Sequence, residues 1–141
     1  MIEIKVLGEP KALKRHRMGR GFSYDPSAGD KQTFAQIVQA NAPEEPLSIP
    51  LRVEMIFYFS RPKSHFGTGK NAGNVKPGMS LYHTSRPDID NLIKFVLDSL
   101  NGIFWKDDCY VSQTNAAKVY TTGTPMTIVR VYESDLPKQS K

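Results

Sequence analysis

The chain has 141 residues, 39% of them hydrophobic and 23% charged, which suits one folded domain with one core. Lys and Arg number 19 against 14 Asp and Glu, and the net charge of +5 fits a polyanionic partner. A lone cysteine, Cys109, excludes an internal disulfide and, with three scattered histidines, a zinc cluster. Arg52 and Glu54 interrupt the longest apolar run well short of the roughly 20 residues of a membrane span. The opening MIEIKVLGEP lacks the basic-then-apolar order of a signal peptide, so a cytoplasmic location is expected.

In chain order, residues 2–7 (IEIKVL) alternate as a strand does, and Gly8 to Pro10 stop it. Lys11, Lys14, Arg15, Arg17 and Arg20 then follow within ten residues without an acid, ending beside Gly19 and Gly21. Such density marks a phosphate-contacting arm or a solvated loop. Lys31 to Asn41 spaces Phe34, Ile37 and Val38 as a helix does, until Pro43. Leu51 to Phe59 (LRVEMIFYF) is the strongest strand signal and is expected to be central. Residues 61–85 then form a long loop that carries Lys63, Lys70 and Lys76 and no acid. Long loops without regular structure are usually functional or disordered, and two purely basic loops point to nucleic acid.

The clearest helix is Ile89 to Leu100, where Ile89, Leu92, Ile93, Val96, Leu97 and Leu100 make a complete apolar stripe. Asp90, Lys94 and Asp98 share the opposite face, Pro87 suits the start and Asn101-Gly102 the end. Phe104 and Trp105 follow, as part of a dimer interface or as a core plug behind the helix. Strands are expected from Cys109 to Val119 and from Met126 to Tyr132, joined by the turn-like TTGTP. The tail, residues 135–141, is expected to fray from a domain spanning 1–134. The fold class is α+β, a mixed sheet with helices packed against it, in the order β-α-β-loop-α-β-β.

Two acidic pairs stand out, Asp88 with Asp90 and Asp107 with Asp108. One aspartate suffices to cap a helix, whereas a second at once adds repulsion that an i,i+4 partner such as Lys94 offsets by only about 0.2–0.5 kcal/mol. A shared divalent ion is the alternative. An EF-hand fails, because counting from Asp88 its glycine would fall on Ile93 and its glutamate on Ser99. An all-oxygen site of the kind magnesium prefers remains, with capping and solvated acids as the competing account. Magnesium beside a basic surface would serve phosphodiester hydrolysis, with Lys94 steadying the developing charge.

The run PDIDNLIKFVLDSLNGIFWKDDCYV, preceded by Arg86, resembles the RusA family of Holliday-junction resolvases, whose core reads D-[LI]-D-N-L-x-K, an apolar helix with D-x-L, and a D-D pair before a strand. The upstream GEPKALKRHRMGRGFSYDP is similar to the family's basic segment, and the likeness extends over most of Val6 to Tyr120. The resemblance implies a phage- or prophage-borne, nucleoid-associated homodimer that cuts four-way DNA junctions by paired symmetric nicks with magnesium, or manganese in its place. It implies Asp88, Asp90 and Asp108 as metal-binding catalytic carboxylates and Lys94 as the essential lysine, with Asp107 a helper or turn residue. Charge adds Lys11, Lys14, Arg15, Arg17, Arg20, Lys70, Lys76 and Arg86 as DNA contacts. The loop 62–85 is longer than in compact members, which would admit other branched DNA. A non-catalytic basic DNA-binding module is the reading from a different class.

Overall fold

The computed structural model describes residues 1–134, so the expected tail at 135–141 lies outside the described residues. Strand β1 (Ile2–Leu7) leads to a small hairpin, β2 (Arg17–Gly19) and β3 (Phe22–Tyr24), and then to helix α1 (Ala28–Val38). Strand β4 (Leu51–Ser60), helix α2 (Ile89–Leu100), and strands β5 (Val111–Thr121) and β6 (Met126–Glu133) complete the fold. The main sheet has the order β1-β6-β4-β5, with β6 antiparallel to both its neighbours and β5 parallel to β4. The mixed α+β architecture expected from the sequence is therefore present, and β4 lies inside the sheet.

Strand β4 explains the layering. Its alternation buries Leu51, Val53, Met55, Phe57 and Phe59 on one face, where they join Leu92, Phe95, Val96 and Leu100 of α2 in the core. The other face carries polar pairs, Arg52 with Glu54 at 2.8 Å and Glu3 with Arg130 at 2.7 Å, so both helices lie on one side. Each fully buried apolar side chain of α2 contributes about 1.5–3 kcal/mol. The exposed Asp90–Lys94 pair, at 3.9 Å, is worth a few tenths at best. The apolar stripe therefore fixes the helix, and the acids are left free for another purpose.

Four expectations change. The basic arm is not wholly a loop, because its second half pairs as the β2–β3 hairpin about a turn in which Gly21 has φ +73°. Helix α1 begins at Ala28, three residues early, where buried Ser27 and the Asp25 carboxylate, which accepts from Ser27 N at 2.9 Å, organise its start. Strand β5 begins at Val111, because Asp107 turns the chain first: its side chain accepts from Cys109 N at 3.4 Å and a 3-10 turn covers Asp108–Tyr110. Phe104 and Trp105 are fully buried, which makes them the core plug and removes them from any dimer interface. The TTGTP turn also joins strands that are not neighbours, since β5 and β6 lie on opposite sides of β4.

Candidate active site

Asp88 occupies the N-cap position of α2, but its side chain makes no cap hydrogen bond. The capping role expected of it is therefore absent, and only its backbone carbonyl serves the helix, accepting from Leu92 N at 3.3 Å. Its carboxylate oxygens are left with their lone pairs available, on an exposed residue. Asp90 is equally open, its side chain 64% accessible, with Lys94 Nζ 3.9 Å away.

The approach to Asp88 is held from three sides. Lys118, on β5, donates from Nζ to the carbonyls of Ser85 and Pro87, both at 2.7 Å, and so pins the segment on either side of Arg86. His83 is buried, stacked on Phe59 with ring centroids 4.0 Å apart, and its backbone N–H donates to the Lys118 carbonyl at 3.0 Å. Burial, followed by the Lys118 charge, lowers the His83 imidazole below its ordinary value. On the third side the basic arm is tied down by Leu13 N–H donating to Asn91 O at 2.9 Å and Lys14 N–H donating to Ser27 Oγ at 2.8 Å. Asp88 thus borders two clefts, one lined by Ala12, Leu13, Arg86 and Asn91 and the other by Tyr82, His83 and Lys118.

The basic residues divide accordingly. Lys11, Lys14, Arg15, Arg17, Arg20, Arg86, Lys70 and Lys76 are all exposed. Arg86 lines the cleft at Asp88, where the arm contributes only Ala12 and Leu13. Lys11 lines a separate pocket beside Glu9 and Asp30, and Lys70 and Lys76 belong to the 61–85 segment. There the Lys76 N–H donates to His65 O at 2.9 Å and Phe66 bridges Val75. Sequence reasoning missed Lys118 and His83. The available signals were a lysine set in the short apolar run Ala116-Ala117-Lys118-Val119 of β5 and a histidine in a loop that is not, after all, free.

Asp108 is elsewhere. Its carboxyl is pushed up from the ordinary carboxylate value by the hydrogen bond with Asp107, by partial burial, and by repulsion from Asp107 and Asp98. Asp98 belongs to the last turns of α2, whose 12 residues span about 18 Å. Strand β5 runs antiparallel to α2 and meets Asp88 at Ala116 to Lys118, about 20 Å from its start beside Asp108. The NGIFWK turn leaves Asp107 and Asp108 at the C-terminal end of the helix, far from Asp88 and Asp90. Among the described residues no three His, Cys, Asp or Glu side chains gather closely enough to hold a metal ion. The donors suit a hard, oxygen-seeking cation, but one chain offers them as two separate pairs.

No helix among the described residues is long and apolar enough to cross a membrane. Compared with known proteins, the chain matches the family described as endodeoxyribonuclease RusA over residues 7–132. It is also 32% identical over 126 residues to a Bacillus subtilis (strain 168) protein called uncharacterized protein YqaN, across 85% of this chain and 88% of that one. The matched span runs from the last residue of β1 into β6 and takes in both acidic pairs, the basic arm and both helices. The chain belongs to the RusA endodeoxyribonuclease family.

Proposed function

We propose that this protein is a magnesium-dependent endodeoxyribonuclease that resolves four-way DNA junctions by paired symmetric nicks, working as a homodimer in the cytoplasm at the nucleoid. The observation that carries this reading is the open carboxylate pair at the start of α2, uncapped and bordered by a basic arm bonded to the same helix turn. Exposed carboxylates with free lone pairs suit a cation and a phosphate that arrive together.

Asp88 and Asp90 would hold the cation, with Asp108 as a third ligand. When bound, magnesium, or manganese in its place, lowers the pKa of a water and neutralises charge on the phosphoryl oxygens. Lys94, one turn along from Asp90, would steady a non-bridging phosphate oxygen as charge develops on it. Arg86, held between the two carbonyls that Lys118 grips, and the arm from Lys11 to Arg20 would fix the DNA backbone in register. Lys70 and Lys76 would touch the junction farther from the cut.

The separation of Asp108 from Asp88 gives the dimer a chemical reason. In an isologous pair, whatever the C-terminal end of one α2 offers its partner is offered in return. Asp108 of each copy could then complete the site begun by Asp88 and Asp90 of the other. Two such sites would face a junction that is itself nearly twofold, which is what paired nicks require.

The test uses a synthetic four-way junction with magnesium. Wild type is expected to nick opposite strands symmetrically, and Asp90→Asn to lose cutting by at least about a hundredfold while still binding the junction. Binding indifferent to magnesium, with no cutting, would instead identify a non-catalytic DNA-binding module. Equal cutting of flaps and other branches would widen the substrate class.

A further inference from the structure

The β2–β3 hairpin is built unlike the rest of the surface. Its two strands pair only with each other, Arg17 with Tyr24, Met18 with Ser23 and Gly19 with Phe22. In an antiparallel ribbon this register puts Phe22 and Tyr24 on one face and Met18 on the other. The two rings lie 6.0 Å apart, and Phe22 covers Gly19 so closely that a Cβ there would collide with its ring. Met18 is 77% exposed, Phe22 57% and Tyr24 43%. A ribbon with large apolar side chains in water on both faces gains nothing for the fold and marks a contact surface.

Its charge says what that surface meets. From Lys11 to Tyr24 there are five Lys and Arg and no acid. Two such ribbons brought face to face would repel each other, which disfavours a second copy of the chain and favours a polyanion. An uninterrupted duplex offers phosphate but hides its base faces, whereas a branch point offers phosphate together with bases that can be unstacked. The hydrogen bond from Leu13 to Asn91 holds the root of the ribbon against the first turn of α2, next to Asp88, and the one from Lys14 to Ser27 holds it against the start of α1. We propose that this hairpin is a wedge that inserts Phe22 and Met18 between bases at the DNA branch point, while its arginines hold the flanking phosphates. The inference rests on the branched-DNA reading of the neighbouring carboxylates and adds the element that recognises the branch.

The experiment uses the full chain carrying Asp90→Asn and a four-way junction with 2-aminopurine either at the branch point or inside an arm. Binding is expected to raise the fluorescence of the branch-point probe several-fold and to leave the arm probe unchanged. Adding Met18→Ala and Phe22→Ala should abolish that rise and weaken junction binding by about tenfold, within the range of one or two lost stacking contacts, with duplex binding unaltered. Gly19→Val, which displaces the Phe22 ring but keeps every charge and aromatic, should act in the same direction, and Phe22→Trp should restore the signal. The wedge is overturned if the rise survives the double substitution, if intact hairpin gives no rise, or if the double variant changes the sedimenting mass of the free protein. Wild-type nicking with magnesium is read in parallel. Unstacking without nicking would discard the nuclease reading and keep the wedge, and nicking without hairpin-dependent unstacking would do the reverse.

Discussion

The two ends of α2 are made of similar residues and do opposite things. At the N-terminal end, Asp88 and Asp90 are exposed and uncapped, and Lys118 spends its charge on the carbonyls of Ser85 and Pro87 and not on either acid. At the C-terminal end, Phe104 and Trp105 are fully buried and Asp107 closes a turn, so that the acidic pair there is partly absorbed into structure. A protein that needed both pairs only for folding would have satisfied both. The N-terminal end is open while the C-terminal end anchors the chain, and the two acidic pairs stand apart along the helix.

The largest expected effect breaks the anchored end. Trp105→Ala should lower stability by about 3–5 kcal/mol in urea unfolding, because it empties a fully enclosed aromatic site. Asp90→Asn, at the open end, should change stability by no more than about 0.5 kcal/mol. Equal losses for the two variants would erase the contrast. Next comes the grip on the approach to Asp88: Lys118→Met removes two charge-assisted hydrogen bonds and should cost about 1–3 kcal/mol by the same measurement. Nicking by that variant should fall by about tenfold, since the Arg86 segment loses its register.

The smallest effect sharpens the comparison through pH. Asp108 holds its proton more tightly folded than unfolded, so its ionisation works against the fold, and that penalty is present once pH rises above the carboxylate range. Asp108→Asn should therefore raise the stability of the metal-free protein by a few tenths of a kcal/mol at neutral pH, about what one exposed like-charge contact costs. The gain should vanish as pH falls and wild-type Asp108 becomes protonated. A loss of stability at neutral pH would show that Asp108 is a structural residue.

Much of the fold was legible because it rests on periodicity. The bounds of β1 and α2 follow from alternation and from the apolar stripe, and β4 was identifiable as an interior strand from its run of large residues. Phe95 was missed as core, because the stripe describes only the side of α2 that meets the sheet. Phe95 turns instead toward α1, edge-on to Phe34 with centroids 5.6 Å apart. The hairpin was missed because three-residue strands carry too little pattern, and its signal was the pairing of Gly19 and Gly21 across Arg20. Of the candidate site, the residue types were readable from the two acidic pairs, but their distance was not. Spacing along a chain cannot say that β5 passes the start of α2 at Ala116 to Lys118 and not at its own first residue.

That distance is the centre of the account, and mixing subunits tests it. Asp90→Asn and Asp108→Asn proteins, each inactive alone, would be denatured together, refolded and given a four-way junction with magnesium. If each site joins Asp88 and Asp90 of one copy to Asp108 of the other, mixed dimers contain one intact site, and nicking should return to about a quarter of the wild-type level. If each site were complete within one chain, both sites of a mixed dimer would be damaged. A mixture of confirmed mixed dimers that remains inactive would contradict the account.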